Sequence, residues 1–449
     1  MNKFETFINH KSAKVLVFAL TYIGWLFPYI FREHLLPLEM FGQILVASFA
    51  CICLLLCKDT FIVLEVILLF PFMFARPLNL YTVPTHLYFI VGMVLASFIA
   101  HFVIHKTKFT FPKFMIGFIA IGISLVLGGL LIDYDDKVIK MILLGAIAIA
   151  FLAFYVCFVS STKPKFTDLA FIMMLLGSLL IMQYITWAVL NPDVLFEKKH
   201  MYFGWASNSN NVAMMLLFTF PFIWYLGYIN KGLKSFAYFF LSFINILVII
   251  VSYSRGSILS IGVTCVLMLI CLSIYKPSRS IMLKYSFSVI GGLFFCMIAL
   301  ALAFPVQLNA IIGNVLAINL QNLNGRVPIY EMMLNNLKDQ PIFGFGVYAS
   351  YREDLFYVWG HNTFLQTAYT LGIVGVVAML WHHIEKYFYC FKNMKFEKAI
   401  ILFAFIATDI YGFMDVSYFF INFMVVLLVV LIACDKIFDK EKLVENATV

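Results

Sequence analysis

Long apolar runs alternate with short polar connections along almost the whole chain. Fourteen runs can be counted, and most come close to the about 20 residues that a helix needs to cross a bilayer. The runs at 60–75 and 397–411 are shorter, which suits tilted or re-entrant helices. The pattern therefore predicts an all-α, polytopic transmembrane helical bundle of about 12–14 spans. The runs cover roughly residues 15–31, 38–56, 60–75, 86–104, 114–132, 138–160, 167–190, 208–229, 236–253, 257–274, 284–304, 361–383, 397–411 and 416–434.

One polar segment, roughly residues 305–360, differs from the other connections by its length. It carries Arg326 and Arg352, and His361 follows it as the first residue of the next apolar run. Long ordered loops are uncommon unless they have a function. We therefore predict one large loop, containing short helices, that forms the working end of the protein.

The residues after the Asn324–Gly325 turn predict one of these short helices. Pro328 suits the first turn of a helix, and the helix should end before Pro341. Its apolar positions recur every fourth residue, so one face should pack on the membrane surface or the bundle and hold Arg326 over the opening. Those positions are Ile329, Met333 and Leu337. Beyond them, Gly344-Phe-Gly346 predicts a tight turn, because the strand and helix context of a nucleotide loop is missing.

Composition places the chain among integral membrane proteins. Of its 449 residues, 63% are hydrophobic and only 12% are charged, far from the balance of a soluble domain. The net charge of +8 fits lysine-rich cytoplasmic loops, so the expected partner is the lipid bilayer and not nucleic acid. With the N-terminus inside, 21 of the 31 Lys and Arg residues lie on the inner side. This asymmetry predicts that both termini are cytoplasmic and that the long loop is extracytoplasmic.

Three regions follow from this topology. Residues 1–190 hold N-terminal transmembrane helices and carry no recognisable motif. Residues 191–435 form a second transmembrane region that includes the extracytoplasmic loop 305–360. Residues 436–449 form a cytoplasmic tail.

Arginine is distributed differently from lysine. Five of the six arginines are predicted on the outer side, namely Arg32, Arg76, Arg255, Arg326 and Arg352. The guanidinium fork grips phosphate or carboxylate bidentately, which an ammonium group does not do. The split therefore predicts an anionic ligand on the outer face. Arg255 lies in a very short connection between two spans, where a charge needs a ligand or counter-charge unless it reaches lipid head groups.

Polar side chains at the mouths of two spans are further candidates. His361 opens the twelfth run beside Asn362. Gly372 lies eleven residues on, about 16 Å deeper at 1.5 Å per residue, so we expect it to aid helix packing and not to share a site with His361. Asn208 and Asn211 open the eighth run, where their amides could bind sugar hydroxyls; the alternative is that Asn208 or Ser209 caps the helix.

The acidic residues give weaker signals. Asp133-Tyr-Asp135-Asp136 contains the Asp-x-Asp pattern that holds a divalent metal in some membrane glycosyltransferases, but a solvated turn is the preferred interpretation. Asp409 and Asp415 flank another outer turn and are similarly ambiguous. Glu65 lies within the third run near its cytoplasmic end, where we expect it to face the cytoplasm. We predict no metal and no other cofactor.

In order and spacing, several of these residues resemble motifs of the O-antigen ligase/polymerase family. Arg255-Gly-Ser-Ile-Leu259 is similar to the family's Arg-x3-Leu element, and His361 to Gly372 is similar to its His-x10-Gly element. Asn324-Gly-Arg326, followed by Pro341-x-x-Gly344-x-Gly346, resembles its Gly-Arg and Pro-x-x-Gly-x-Gly stretch. The resemblance covers roughly residues 200–435.

This resemblance implies a multi-pass glycosyltransferase of the bacterial cytoplasmic (inner) membrane, with its active site facing out. The donor would be an undecaprenyl-diphosphate-linked oligosaccharide and the second substrate a glycan acceptor, with a chain-length regulator and a flippase as partners. Arg255 and Arg326 would serve the leaving diphosphate, and His361 would be the base or hydrogen-bond acceptor for the attacking hydroxyl. The remaining substrate-binding candidates are Arg352, Asn208, Asn211 and Asn362.

The acceptor distinguishes two forms of this activity. A polymerase passes the growing chain to another lipid-linked repeat, whereas a ligase passes it to lipid A core. We favour a polymerase, because the family's polymerases vary more in their N-terminal halves and span counts. A lipid-linked-glycan flippase or exporter without chemistry is the alternative from another class. It needs a polar path through the spans, and the near absence of charged residues within them argues against it.

Overall fold

The computed structural model describes residues 3–31, 35–75, 84–133, 136–192, 202–206, 208–275, 325–347 and 360–437, with a few positions between 291 and 313. No β-strand occurs in these residues, and the chain forms helices throughout them. The helices are α1 (Lys3–Ile8), α2 (Lys11–Ile30), α3 (Leu35–Leu56), α4 (Phe61–Leu69, continued by a 3₁₀ turn Phe70–Met73), α5 (Thr85–His105), α6 (Met115–Leu127), α7 (Lys137–Ser161), α8 (Phe166–Leu190), α9 (Ser209–Ile229), α10 (Gly232–Val251), α11 (Arg255–Tyr275), α12 (Val327–Leu337), α13 (Thr363–Phe391), α14 (Phe396–Gly412) and α15 (Ile421–Ile437).

The predicted all-α, polytopic architecture is confirmed. In the described part of the chain, eight helices are long and apolar enough to cross a membrane when α13 is counted as one, and three shorter apolar ones accompany them. Every predicted run has a matching helix except 284–304, most of which lies outside the described residues. The third run is short, as expected, because α4 passes into the 3₁₀ turn at Phe70.

Helix α9 lies at the centre of the second half of the bundle. It packs against α8, α10, α11 and α14, and nearly all of its side chains are buried. A helix that is apolar on every side can be buried on every side. Its N-terminal end begins at Ser209, capped by Asn208, and this end faces the connection between α14 and α15.

Helix α13 contains a reversal that the apolar pattern did not predict. Gly372 has φ +63° and ψ −160°, values that are essentially restricted to glycine. In a straight helix Thr367 and Met379 would lie about 18 Å apart, yet the Thr367 hydroxyl lies 3.2 Å from the Met379 sulfur. The two halves, residues 363–371 and 373–391, therefore fold back on each other. The prediction of one continuous span from His361 inward is wrong.

The short helix predicted in the long polar segment is confirmed as α12. It begins at Val327, has Pro328 in its first turn and ends at Leu337, before Pro341. Met333 is fully buried against Gly360 and the first turns of α13. Helix α12 thus packs on the bundle, with Arg326 at its N-terminus.

Two expectations about charged residues are wrong. Glu65 does not face the cytoplasm, because it is fully buried within α4. Neither of its carboxylate oxygens has a hydrogen-bond partner among the described residues. Lys386, one of the 21 basic residues predicted on the inner side, is not on the inner face, since its side chain is 0% exposed and its ammonium lies 2.7 Å from Asp409 Oδ2. Charged residues are therefore present within the spans, and their expected absence no longer counts against a transporter.

Candidate active site

His361 and Asp415 meet at the mouth of the bundle. His361 Nδ1 lies 3.1 Å from Asp415 Oδ1, and the two side chains are 28% and 11% exposed. His361 precedes α13 with a left-handed φ of +45°, a conformation that non-glycine residues adopt only where the surroundings hold it. Here the Tyr330 hydroxyl donates to the His361 carbonyl at 3.3 Å. With Nδ1 directed at the carboxylate, Nε2 is the ring nitrogen that remains for a substrate.

Asp415 is held from three directions. Asn210 Nδ2 donates to its Oδ2 at 2.6 Å, and the Val416 amide donates to its Oδ1 at 2.9 Å. Burial alone would raise the pKa of Asp415, but the hydrogen bonds from His361 and Val416, with the positive charge of Arg326, hold it below its ordinary value. Asp415 is therefore a carboxylate that orients the imidazole ring.

Arg326 lies beside this pair. Its guanidinium donates to the Met414 carbonyl, one residue before Asp415, and it also interacts with the Tyr330 hydroxyl. Arg326 is half-buried, since it precedes α12 where that helix docks on the bundle. The arginine predicted over the opening thus lies in contact with the His361–Asp415 layer.

Arg255 reaches the same region from another direction. It is the first residue of α11, directly after the tight connection from α10. The next residue, Gly256, packs so closely on Met414 that a Cβ there would lie 3.1 Å from the Met414 Cβ. Met414 therefore lies between the segment of Arg255 and the guanidinium of Arg326.

The other predicted site residues have mixed outcomes. The Asn362 side-chain oxygen caps α13 by accepting from the Phe364 and Leu365 amides, and its Nδ2 donates to the Phe413 carbonyl. Asn208 caps α9, which is the structural alternative. Asn211 lies half-buried in the first turn of α9. Arg352 lies outside the described residues, as does Asp135 of the Asp-x-Asp turn, so these predictions stay untested.

Three glycine corners fit together at the far end of the first half of α13. The predicted tight turn is confirmed, with φ of +61° at Gly344 and +83° at Gly346. A Cβ on Gly372 would lie 2.2 Å from the Ile342 carbonyl oxygen, and one on Gly129 would lie 2.8 Å from that of Phe345. Hydrogen bonds join the turn to both halves of α13, from Ile373 N to Pro341 O at 2.9 Å and from Gly346 N to Thr370 O at 2.7 Å.

These contacts explain why His361 and Gly372 are separated by ten residues. The intervening helix, residues 363–371, spans about 13 Å at 1.5 Å per residue, from the His361 layer to the corner beside the Pro341–Gly346 turn. Gly372 therefore does not share the histidine's site, as predicted. It is not an aid to helix packing deeper in the bundle, however, but the residue that permits the chain to reverse.

Comparison with known families gives a match to the second half of the chain. The family model described as Wzy_C, O-antigen ligase, matches residues 238–380. Over these residues the chain is similar to the O-antigen ligase family. The match covers about a third of the chain and includes Arg255, Arg326, His361 and Gly372. No curated protein matches the chain. Together with the apolar helices, this match indicates a multi-pass membrane protein of the glycosyl-transferring, O-antigen ligase/polymerase type.

Sequence reasoning missed the residues that surround His361. Asn210, which contacts Asp415, lies between the two asparagines that were singled out. Asp415 itself was noticed only as an ambiguous turn residue. Its contact with His361 joins positions 54 residues apart. The periodicity of apolar residues is a local signal and does not predict a contact over that separation. The position of Asp415 at the mouth of a span is the one signal in the sequence that distinguishes it from an ordinary solvated acid.

Proposed function

We propose that this protein transfers an oligosaccharide from undecaprenyl diphosphate to a glycan acceptor on the outer face of the bacterial cytoplasmic membrane. The observation that carries the proposal is the His361–Asp415 pair with Arg326 beside it. A base oriented by a carboxylate, next to cations, suits attack by a hydroxyl with loss of an anionic leaving group. The family assignment supports glycosyl transfer as the reaction class.

In this reaction, His361 Nε2 accepts the proton of an acceptor sugar hydroxyl. The hydroxyl oxygen forms a bond to the anomeric carbon of the donor, while the bond from that carbon to the diphosphate oxygen breaks. The electron pair of that bond leaves with undecaprenyl diphosphate. Asp415 keeps the ring in place and stabilises its protonated form, as a carboxylate does for a catalytic imidazole.

The two arginines serve the leaving group. The Arg326 guanidinium contacts the Met414 carbonyl, and Gly256, the residue after Arg255, packs on the Met414 side chain, so we propose that one diphosphate accepts hydrogen bonds from both arginines. Guanidinium groups bind phosphate oxygens bidentately and offset the charge that develops as the bond breaks. We therefore propose a metal-independent reaction without nucleotide or other cofactor. Arg352, Asn208, Asn211 and Asn362 are proposed contacts for the sugars.

For the acceptor, we favour another lipid-linked repeat, which makes the protein an O-antigen or capsular polysaccharide polymerase. The family model matches only from residue 238 onward, and the resemblance implies that polymerases of this family vary most in their N-terminal halves. A ligase acting on lipid A core is the second candidate, favoured by the description of the family model. A deletion strain separates them. A single repeat left on the core indicates a lost polymerase, whereas bare core with intact lipid-linked polymer indicates a lost ligase.

The direct test is transfer by purified protein in detergent. A synthetic undecaprenyl-diphosphate oligosaccharide is the donor, a second lipid-linked repeat is the acceptor, and released undecaprenyl diphosphate is measured with EDTA present. We expect release with EDTA equal to that without it. If no undecaprenyl diphosphate is released with either a lipid-linked repeat or lipid A core as acceptor, the proposed enzymatic function is contradicted and an exporter is favoured. Activity lost in EDTA and restored by Mn²⁺ or Mg²⁺ would contradict the metal-free mechanism.

A further inference from the structure

A second polar cluster lies within the spans and takes no part in the proposed chemistry. Asp409 of α14 is its centre, and the Lys386 ammonium lies 3.0 Å from Oδ1 and 2.7 Å from Oδ2. The hydroxyls of Tyr387 and Tyr418 donate to Oδ2 at 2.6 Å and to Oδ1 at 2.9 Å. His383 Nε2 lies 3.4 Å from Oδ1. A carboxylate accepts about four hydrogen bonds, so Asp409 is saturated by its own protein.

Because the acceptor positions of the Asp409 carboxylate are all occupied, Asp409 is poorly suited to bind a transported group, and a structural role fits it better. The pair is sealed, because the side chains of Lys386 and Asp409 are 0% and 9% exposed. Lys386 also lies over the rings of Phe405 and Tyr418, each 5.1 Å from the ammonium. Breaking such a buried pair is costly. The cluster is therefore a rigid point inside the bundle.

One member of the cluster belongs to the segment that carries Asp415. Tyr418 lies in the connection 413–420 between α14 and α15, three residues after Asp415. Its hydroxyl accepts from Lys386 as well as donating to Asp409. On its other side the connection is held by Thr363, whose hydroxyl donates to the Asp415 carbonyl at 3.0 Å and accepts from the Ser417 amide at 3.0 Å.

We propose that Tyr418 is a positioning residue, which ties the 413–420 connection to the buried Lys386–Asp409 pair and so fixes Asp415 against His361. The inference rests on the proposed function for its effect on catalysis. Its structural half, that the Tyr418 hydroxyl holds the connection, does not depend on that function. Catalysis needs short, fixed distances between the side chains that contact the substrate, and neighbouring residues that hold those side chains in place maintain these distances.

Tyr387 offers a matched control. Both tyrosines donate one hydrogen bond to Asp409, but Tyr387 lies on α13 and not on the connection. Tyr418→Phe and Tyr387→Phe each remove a single hydroxyl and leave Lys386 paired, so both variants should fold. Size-exclusion profiles and thermal unfolding in detergent verify this before activity is compared.

Turnover provides the first measurement. We expect Tyr418→Phe to lower kcat by roughly 10- to 100-fold and to leave the KM for the lipid-linked donor within about twofold, because Arg255 and Arg326 belong to α11 and to the N-terminus of α12 and not to the connection. Tyr387→Phe should retain near wild-type kcat. Equal kcat in the two variants, whether both are normal or both are reduced, would overturn the positioning role of Tyr418.

Amide hydrogen–deuterium exchange across residues 413–420 provides the second measurement and needs no turnover. The Val416 amide donates to Asp415 Oδ1 and the Ser417 amide to the Thr363 hydroxyl, so both should exchange roughly tenfold faster in Tyr418→Phe and at an unchanged rate in Tyr387→Phe. Unchanged exchange in Tyr418→Phe would overturn the proposal. If wild-type protein releases no undecaprenyl diphosphate, the proposed function fails alone, and exchange still decides whether Tyr418 anchors the connection.

Discussion

Asp409 and Asp415 lie six residues apart, and they illustrate two uses of the same side chain. Asp409 is surrounded by donors and paired with a lysine that is 0% exposed. Asp415 is paired with a histidine that is 28% exposed, at the mouth of the bundle beside Arg326. Burial and hydrogen bonding are similar at the two positions. The difference is that the partner of Asp415 can still reach a substrate.

Asp409 therefore serves the stability of the fold, whereas Asp415 serves the proposed chemistry. A buried ion pair with every lone pair occupied has nothing to offer a ligand, and its disruption leaves an uncompensated charge. A carboxylate–imidazole pair with one free ring nitrogen can accept a proton. We therefore expect substitutions in the Asp409 layer to affect folding first. Substitutions in the Asp415 layer should affect turnover with little change in folding.

The largest effect is expected for Lys386→Met, which leaves Asp409 buried without its counter-charge. Such a change costs roughly 3–5 kcal/mol, so expression in the membrane and thermal stability in detergent should both collapse. The double variant Lys386→Met with Asp409→Leu should recover most of the stability, because an apolar pair often replaces a buried ion pair without loss. A stable Lys386→Met single variant would show that the pair is not an anchor.

His361→Ala should abolish transfer at normal protein level. The lost proton acceptor should lower kcat by about 10²–10⁴, and the substitution removes only a partly exposed ring with one hydrogen bond, to Asp415. Imidazole added to the assay should restore part of the rate if the ring acts as a base. His105→Ala, outside the proposed site, is the control and should transfer normally. Near-normal transfer by His361→Ala would reduce His361 to a structural residue.

Arg255→Lys and Arg326→Lys test the cationic part of the site. Lys keeps the charge but loses the bidentate fork, so each should be nearly as damaging as Arg→Ala, with a loss in kcat of roughly 10²-fold. Lys338→Ala, at an exposed cation just after α12, should have no effect. Full activity in both lysine variants would indicate that the arginines only anchor the protein at lipid head groups.

Sequence reasoning found the elements of this site but not their contacts. Apolar runs predicted the helices within a few residues, and proline and apolar spacing predicted α12, because these signals are local. The reversal at Gly372 could not be inferred, since an unbroken apolar run looks the same whether a helix continues or turns back. The inner-side prediction for Lys386 also failed. Basic residues near span ends are normally cytoplasmic, and only the folded-back α13 brings this one to Asp409.

The smallest expected effect is on the pH dependence of protein stability, where Asp415 should differ from an exposed aspartate. Its pKa in the folded protein lies below the ordinary value of about 3.9, so the ionised form stabilises the fold. This contribution is fully present above the unfolded-state pKa and is lost as the pH falls through the lower folded-state value.

The unfolding temperature of the wild type should therefore fall more steeply than that of Asp415→Asn as the pH is lowered from roughly 5 to 3. Asp339→Asn, at an exposed position after α12, is the control and should follow the wild-type slope. The measurement is thermal unfolding in detergent across that pH range. Parallel slopes for wild type and Asp415→Asn would mean that His361 and Arg326 do not stabilise the carboxylate. The distinction drawn between Asp415 and an unpaired acid would then fail, even if His361 proves essential for transfer.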